Sequence, residues 1–308
     1  MTEIFLRTLP FFAIIGLGYL AGRIRLFPPE ATAYLTKFVF FFALSAMLFR
    51  FAATLPFDQL FDPQIALAYL FGTALVYVVA TLVAMARGEK MATAAFEAQC
   101  AVIGNVGFLG IPMMLVLFGE AAIGPNMLVL AIDLIVFSSL IVILVNVARE
   151  GRLGLRTLRT VGVGLVQNPM IVAITAGLAW SAAGWPIPQA MESFLVTLGN
   201  AATPGALFAI GASLAERSAE RLSVAGWIST CKLVLHPAAV GFGALVLFPL
   251  DPFDAMVVIG LAALPVAGNI YMLAQHYGIA VQRVSAAIFV STLLSILSFP
   301  AVLAMIGH

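Results

Sequence analysis

Charge is what this chain has least of. Of its 308 residues only 9% are Asp, Glu, Lys or Arg, whereas 63% are hydrophobic. A soluble globular protein carries about 25% charge. A deficit spread over the whole length excludes a soluble fold and implies a polytopic membrane protein. The charges nearly cancel, 15 basic against 14 acidic for a net +1, so nothing in the balance suggests nucleic acid or an acidic partner. Cysteine is also scarce: Cys100 and Cys231 both lie in apolar stretches, with no metal-ligand spacing, and are expected as small core residues. No cofactor is implied. Intramembrane hydrolysis needs paired or clustered acids, but Asp133 stands alone in its segment and Asp251 and Asp254 fall in a connection. No enzyme is expected.

What is present is a series of long apolar segments. A bilayer crossing takes about 20 such residues. That length places ten spans, roughly Ile4–Gly22, Ala31–Ala53, Gln64–Ala86, Ala92–Phe118 and Asn126–Val147, then Pro169–Ala183, Ala190–Leu214, Val224–Leu247, Phe253–Tyr277 and Val281–Ile306. The first segment begins like a signal peptide. Its early Glu3 and the lack of a small-residue cleavage site favour a retained span. The longest connection, 148–168, holds Arg149, Arg152, Arg156 and Arg159. Its part from Leu155 to Val166 could lie along the membrane surface as a basic amphipathic helix. The chain thus divides into a five-helix repeat over 1–147, this basic connection, and a second repeat over 169–308.

Basic residues collect after the odd-numbered spans: Arg23, Arg25, Arg87, Lys90, the four central arginines, Arg217, Arg221 and Arg283. Only Arg7 and Arg50 lie near span ends on the other side, which carries Asp58, Asp62, Glu120, Glu192, Asp251 and Asp254. By the positive-inside rule both termini lie outside the cytoplasm. With five spans per half, the second half then enters the membrane inverted relative to the first.

Two of these spans contain what a membrane helix ordinarily avoids. Span 4 holds Gly104, Asn105, Val106, Gly107, Gly110 and Pro112; span 9 holds Pro265, Val266, Gly268 and Asn269. Interrupted helices at membrane depth survive where they are buried in protein or line a wet cavity. Paired interruptions in the two halves mark a carrier's substrate site. A half-helix restarting near Gly104–Gly107, with Asn105 as N-cap, would turn free N–H groups toward an anion. Pro112 and Pro265 would free the carbonyls of Phe108 and Leu261. The alternative is that these residues only kink spans for packing.

Other polar residues in the spans carry paired readings. Asp133 in span 5 is a proton-coupling candidate or a carboxylate snorkelling to the outer interface. Glu97 in span 4 is a second candidate that would more readily face a cytoplasmic vestibule. His236 and Lys232 form an i, i+4 pair on span 8; His236 could couple to protons but is expected as a hydrogen-bonded packing residue. Lys232 would pair with a carboxylate or reach the interface. Ser45, in the aromatic stretch of span 2, and Asn200, Thr203 and Gly211 of span 7 suit close packing. Ser138, Ser139, Ser291, Thr292 and Ser295 could ligate sodium or bond to their own helices.

The order of motifs resembles the auxin efflux carrier family over nearly the whole chain. The matching residues are Asn105-x-Gly107-x-x-Gly110-x-Pro112, Leu117-Phe118-Gly119-Glu120, Asn168-Pro169, Thr203-Pro204-Gly205 with Gly211, Lys232 with Pro237, Leu264-Pro265 and Tyr277-Gly278. The resemblance implies an all-α polytopic fold of ten helices in two inverted five-helix repeats, with helices 4 and 9 broken and crossing. It implies a scaffold from helices 1, 2, 6 and 7 that forms a homodimer contact, and a core from helices 3–5 and 8–10 that moves like an elevator. Asn105, Pro112, Pro265 and Asn269 carry over as site positions, with Gly104, Val106, Gly107, Val266 and Ser45 beside them. The long loop of many plant members is lacking, which favours a compact carrier of a bacterial inner membrane. The expected cargo is a small organic anion, a mono- or dicarboxylate such as malonate or malate, or an auxin-like acid. Proton or sodium coupling is expected, with a passive facilitator as the alternative.

Overall fold

The computed structural model describes residues 2–54, 62–151, 154–215 and 222–306, without the side chains of 2–4, 150 and 156. Asp58, Arg152, Arg217 and Arg221, which enter the orientation argument, lie outside the described residues, as does the side chain of Arg156. Among the described residues the fold is all-helical, with no strand beyond a single isolated bridge.

Among the described residues seven helices are long and apolar enough to cross a membrane: Phe5–Arg23, Pro29–Thr54, Pro63–Ala86, Glu120–Arg149, Gln189–Leu214, Leu222–Leu247 and Val281–Ile306. They coincide with expected spans 1, 2, 3, 5, 7, 8 and 10. Span 6 is a 14-residue helix that meets the preceding amphipathic helix at 66°. Spans 4 and 9 are each two helices with a gap.

In chain order the helices are α1 (Thr2–Arg23), α2 (Pro29–Phe38), α3 (Leu44–Thr54), α4 (Pro63–Ala86), α5 (Met91–Val102), α6 (Ile111–Phe118), α7 (Ile123–Ile132) and α8 (Ser138–Glu150). The second half supplies α9 (Leu155–Gln167), α10 (Pro169–Ala182), α11 (Gln189–Gly199), α12 (Ala202–Leu214), α13 (Leu222–Thr230), α14 (His236–Phe242), α15 (Pro252–Ala262), α16 (Asn269–Tyr277) and α17 (Val281–Ile306). Three starts share one device, an Asx residue followed by proline. Asp62, Asn168 and Asp251 accept backbone N–H bonds from Gln64 (2.7 Å), Met170 (3.0 Å) and Phe253 (2.9 Å). Proline at the first helical position sacrifices no bond there. α6 and α16, the second members of the two broken spans, both run into a positive-φ glycine, Gly119 and Gly278, which stops a helix without Cβ strain.

Within several spans the helix widens to a π turn: Val39–Ala43 between α2 and α3, Val106–Gly110 before α6, Asp133–Phe137 between α7 and α8, and Cys231–Leu235 between α13 and α14. Two are fastened by hydroxyls five residues on. Ser45 donates to the Phe40 carbonyl and Ser138 to the Asp133 carbonyl, both at 3.0 Å.

Packing falls into two sets. α1 packs on α12, α3 on α10 and α11, and α12 on α2; elsewhere α4 packs on α5 and α14, α13 on α17, α5 on α8 and α14 on α15. With lipid outside, such helices hold together by close approach rather than by the hydrophobic effect. At Gly211 of α12 an added Cβ would lie 1.9 Å from the Ile15 carbonyl oxygen of α1. The close-packing role expected of Gly211 is what the structure has.

Ion pairs gather residues from distant connections. Glu97 is paired with Arg87 and, at 2.5 Å, with Arg283, which also binds Glu89 at 2.6 Å. Arg50 pairs with Glu192 at 2.6 Å.

Candidate functional site at the helix crossing

The two breaks meet. α5 ends at Val102 and helical structure resumes at Val106; α15 ends at Ala262 and α16 begins at Asn269. Between them Gly104 and Val266 form an antiparallel bridge: the Asn105 N–H donates to the Pro265 carbonyl (2.9 Å) and the Ala267 N–H to the Ile103 carbonyl (3.1 Å). The Val266 N–H donates to Ser291 Oγ at 3.1 Å. Inside protein at membrane depth each unmet peptide group costs several kcal/mol, so these bonds are what allow two helices to stop here.

One carbonyl at each C-terminal end is met from far along the chain: Ile103 by Ala267, and Ala262 by the Lys232 ammonium, with His236 Nδ1 3.2 Å away. The N–H groups of Gly107 and Phe108 before α6, and of Gly268 and Asn269 at α16, have no acceptor among the described residues. All four residues line a cavity of about 410 Å³, its open mouth included, together with Gly104, Asn105, Asp133, Leu130, Leu134 and Ser138. Phe40 and Met170 close it from the other packing set, and Phe40 stacks on Phe108 with ring centroids 6.2 Å apart.

Asn105 is buried at 6% exposure, and its side chain makes no hydrogen bond among the described residues. Asn105 does stand at the expected N-cap position, its carbonyl accepting from Leu109 and Gly110 at 3.0 and 2.9 Å, but its side chain makes no cap bond and its amide is left for the cavity. Pro112 stands at the start of α6, directly after the π turn Val106–Gly110, so the interruption at 103–105 lies ahead of it. The carbonyl of Leu261, expected to be freed by Pro265, accepts from Leu264 N–H at 3.3 Å. The carbonyl that needs an outside donor is that of Ala262.

Asp133 is 3% exposed, which removes the interfacial snorkelling reading. Its Oδ1 accepts from the Tyr69 hydroxyl at 2.8 Å, and its Oδ2 has no partner. Behind it the Tyr69 ring meets the His236 ring edge-on, centroids 5.7 Å apart. His236 lies 3.0 Å from Thr73 Oγ1 through Nε2 and 3.1 Å from Lys232 Nζ through Nδ1. His236 is thus the hydrogen-bonded buried residue expected. Lys232, fully buried, neither reaches an interface nor touches a carboxylate as expected; it binds the Ala262 carbonyl beneath the crossing. Glu97, 2% exposed, faces no vestibule: two arginines hold it.

Of the remaining expected residues, Asn269 and Gly107 line the cavity, whereas Val106, Pro112, Pro265, Val266 and Ser45 lie outside its wall. Ser138, Thr292 and Ser295 bond within their own helices. Ser291 also meets the break. Tyr69, Phe40, Phe108 and Met170 were not singled out as site residues. Tyr69 carried a signal, since a tyrosine inside an apolar span needs a partner for its hydroxyl.

A helical membrane protein with a polar cavity at crossing helix breaks has the build of a membrane carrier. The chain belongs to the membrane transport protein family, whose model matches residues 3–303, the group that includes auxin efflux carriers. It is 29% identical over 312 aligned residues to "Putative malonate transporter" of Rhizobium meliloti (strain 1021), covering 99% of this chain and 97% of that one. It is 23% identical over 264 residues to "Auxin efflux carrier component 8" of Arabidopsis thaliana, covering 68% and 71%. A match at 26% identity to "Lysosomal cholesterol signaling protein" of Mus musculus takes in 70% of this chain but 26% of that protein. The chain is a membrane transporter and not an enzyme.

Proposed function

We propose that the protein carries a small organic anion of the malonate class through its membrane by alternating access. One observation carries this reading: at the crossing the N–H ends that lead into α6 and α16 line the cavity without an acceptor among the described residues, while the Ile103 and Ala262 carbonyls are bonded within the protein. Helix N-termini attract anions and C-termini cations. The relative named for malonate, aligned over almost its full length, supports a carboxylate cargo.

In this reading each broken pair is one crossing, α10 another, and the ten crossings form two inverted five-helix repeats split by the basic connection. The set of α1, α2–α3 and α10–α12 is a scaffold that also pairs two copies, and the rest is a core that slides past it. The cavity supports that division, because Phe40 and Met170 come from one set and the crossing residues from the other. The Arg87, Glu89, Glu97 and Arg283 cluster gathers basic connections at one end, which suits a cytoplasmic face of a bacterial inner membrane with both termini opposite.

The test is uptake of labelled malonate into proteoliposomes with imposed proton or sodium gradients. Accumulation against the malonate gradient supports a coupled carrier; equilibration that no gradient alters supports a uniporter; the absence of any flux overturns the assignment. A covalent link between Phe40→Cys and Phe108→Cys should stop transport if the two sets slide, and leave it intact if they do not.

A further inference from the structure

The cavity offers more than a seat for one carboxylate. Its wall includes Asp133, whose Oδ2 is buried and unpartnered while Oδ1 is occupied by Tyr69. The groups around that carboxylate are the Tyr69 hydroxyl, the His236 ring behind it and, within electrostatic reach, the Lys232 side chain. A buried acceptor without a donor is unfavourable, and a bound ligand can remove that penalty. A second full negative charge beside Asp133 would instead be repelled in a site that excludes water.

We infer that the cargo is an organic acid bound as a monoanion that also bears an O–H: the carboxylate rests on the open N–H groups of the crossing, and the O–H donates to Asp133 Oδ2. A dicarboxylate such as malonate then binds in its half-protonated form, and a hydroxy acid binds in the same pose. This rests on the organic-anion reading above and narrows it to a charge state.

The test uses the purified full-length chain in detergent, titrated with propanoate, 3-hydroxypropanoate, malonate and monomethyl malonate. For the wild type, 3-hydroxypropanoate should bind about 10- to 150-fold tighter than propanoate, the range for a hydrogen bond to a charged group. Affinity for total malonate should fall with the monoanion fraction as pH rises through the second ionisation of malonic acid, while that for 3-hydroxypropanoate stays level. Monomethyl malonate, a monoanion without the O–H, should bind as weakly as propanoate. In Asp133→Asn, Tyr69 holds the amide oxygen and the NH₂ replaces Oδ2 with a donor. That variant should lose the preference for the hydroxy acid and bind malonate better as the dianion accumulates. Equal wild-type binding of propanoate and 3-hydroxypropanoate, or malonate affinity that rises with pH, overturns the inference while leaving the organic-anion reading in place. If none of the four acids binds, both fall. Should Asp133→Asn not fold, the wild-type comparison decides alone.

Discussion

Replacing Asn105 by alanine isolates the ligand's share of the site from the fold's. The backbone of Asn105 is fully engaged, donating to Pro265 at 2.9 Å and accepting from Leu109 and Gly110. Alanine can make each of those bonds. The side chain, 6% exposed, makes no hydrogen bond among the described residues, so nothing within the protein loses a partner when it goes. What is lost is one amide donor to a carboxylate in a cavity, worth about 1.5–3 kcal/mol for a bond to a charged group. That corresponds to a Kd about 10- to 150-fold weaker. Calorimetric titration with malonate at fixed pH, beside a melting curve in the same detergent, measures both quantities. The expected result is weakened binding at an unchanged Tm. Thr292→Val serves as control, because the Thr292 hydroxyl bonds to Ile288 of its own helix at 2.7 Å and lies off the cavity wall; its affinity should not move. If Asn105→Ala binds malonate as the wild type does, the amide is not part of the seat. If Tm falls together with affinity, Asn105 supports the crossing rather than the cargo.

Lys232→Met takes the donor from the Ala262 carbonyl and should destabilise the protein by about 1–3 kcal/mol, read as a lower Tm. Adding Asp133→Asn should recover part of that loss if the two buried charges balance each other, which a double-mutant cycle reports. Glu97→Gln separates structure from coupling: held by Arg87 and Arg283, it should lower Tm yet leave the pH dependence of uptake unchanged, and an altered pH profile would restore Glu97 as a coupling residue. Gly211→Ala should force α1 and α12 apart, since its Cβ would lie 1.9 Å from the Ile15 carbonyl. The cost is about 1–3 kcal/mol or more, seen as a lower Tm or lost expression, and a wild-type Tm would mean that the two helices are not that close.

The places where helices break were legible in the sequence, because proline, glycine and asparagine are residues with a physical reason to interrupt a span. What the breaks do to each other was not. Pro112 marks the segment, but the interruption itself lies at 103–105, ahead of the π turn Val106–Gly110 that runs into α6. Pro265 reads as freeing the carbonyl four residues back, yet the local turn places Leu264 N–H on that oxygen. Local rules locate an interruption but not its bonds, which come from elements far along the chain: Ser291 for Val266, Lys232 for Ala262, and Ile103 for Ala267. The partners of Glu97 and Asp133 were hidden for the same reason. Arg283 lies 186 residues from Glu97 and Tyr69 64 residues from Asp133, and no spacing pattern encodes such pairs.

This long-range bonding also decides the sign of the site. Two interrupted helices present two positive and two negative ends to the same place, and taken alone the four would cancel. Here one carbonyl at each negative end is answered from within the protein, Ile103 by the Ala267 N–H and Ala262 by the buried ammonium of Lys232. The positive ends keep free N–H groups at Gly107, Phe108, Gly268 and Asn269, and all four residues stand on the cavity wall. The lysine therefore does at the crossing what a bound cation would otherwise have to do. If the proposed anion rests on those N–H groups, no metal ion is needed to hold the broken ends together. On this argument sodium should be dispensable for binding. A malonate affinity that is the same in sodium and choline buffers at equal ionic strength bears it out, and one that vanishes without sodium places the missing positive charge somewhere other than Lys232.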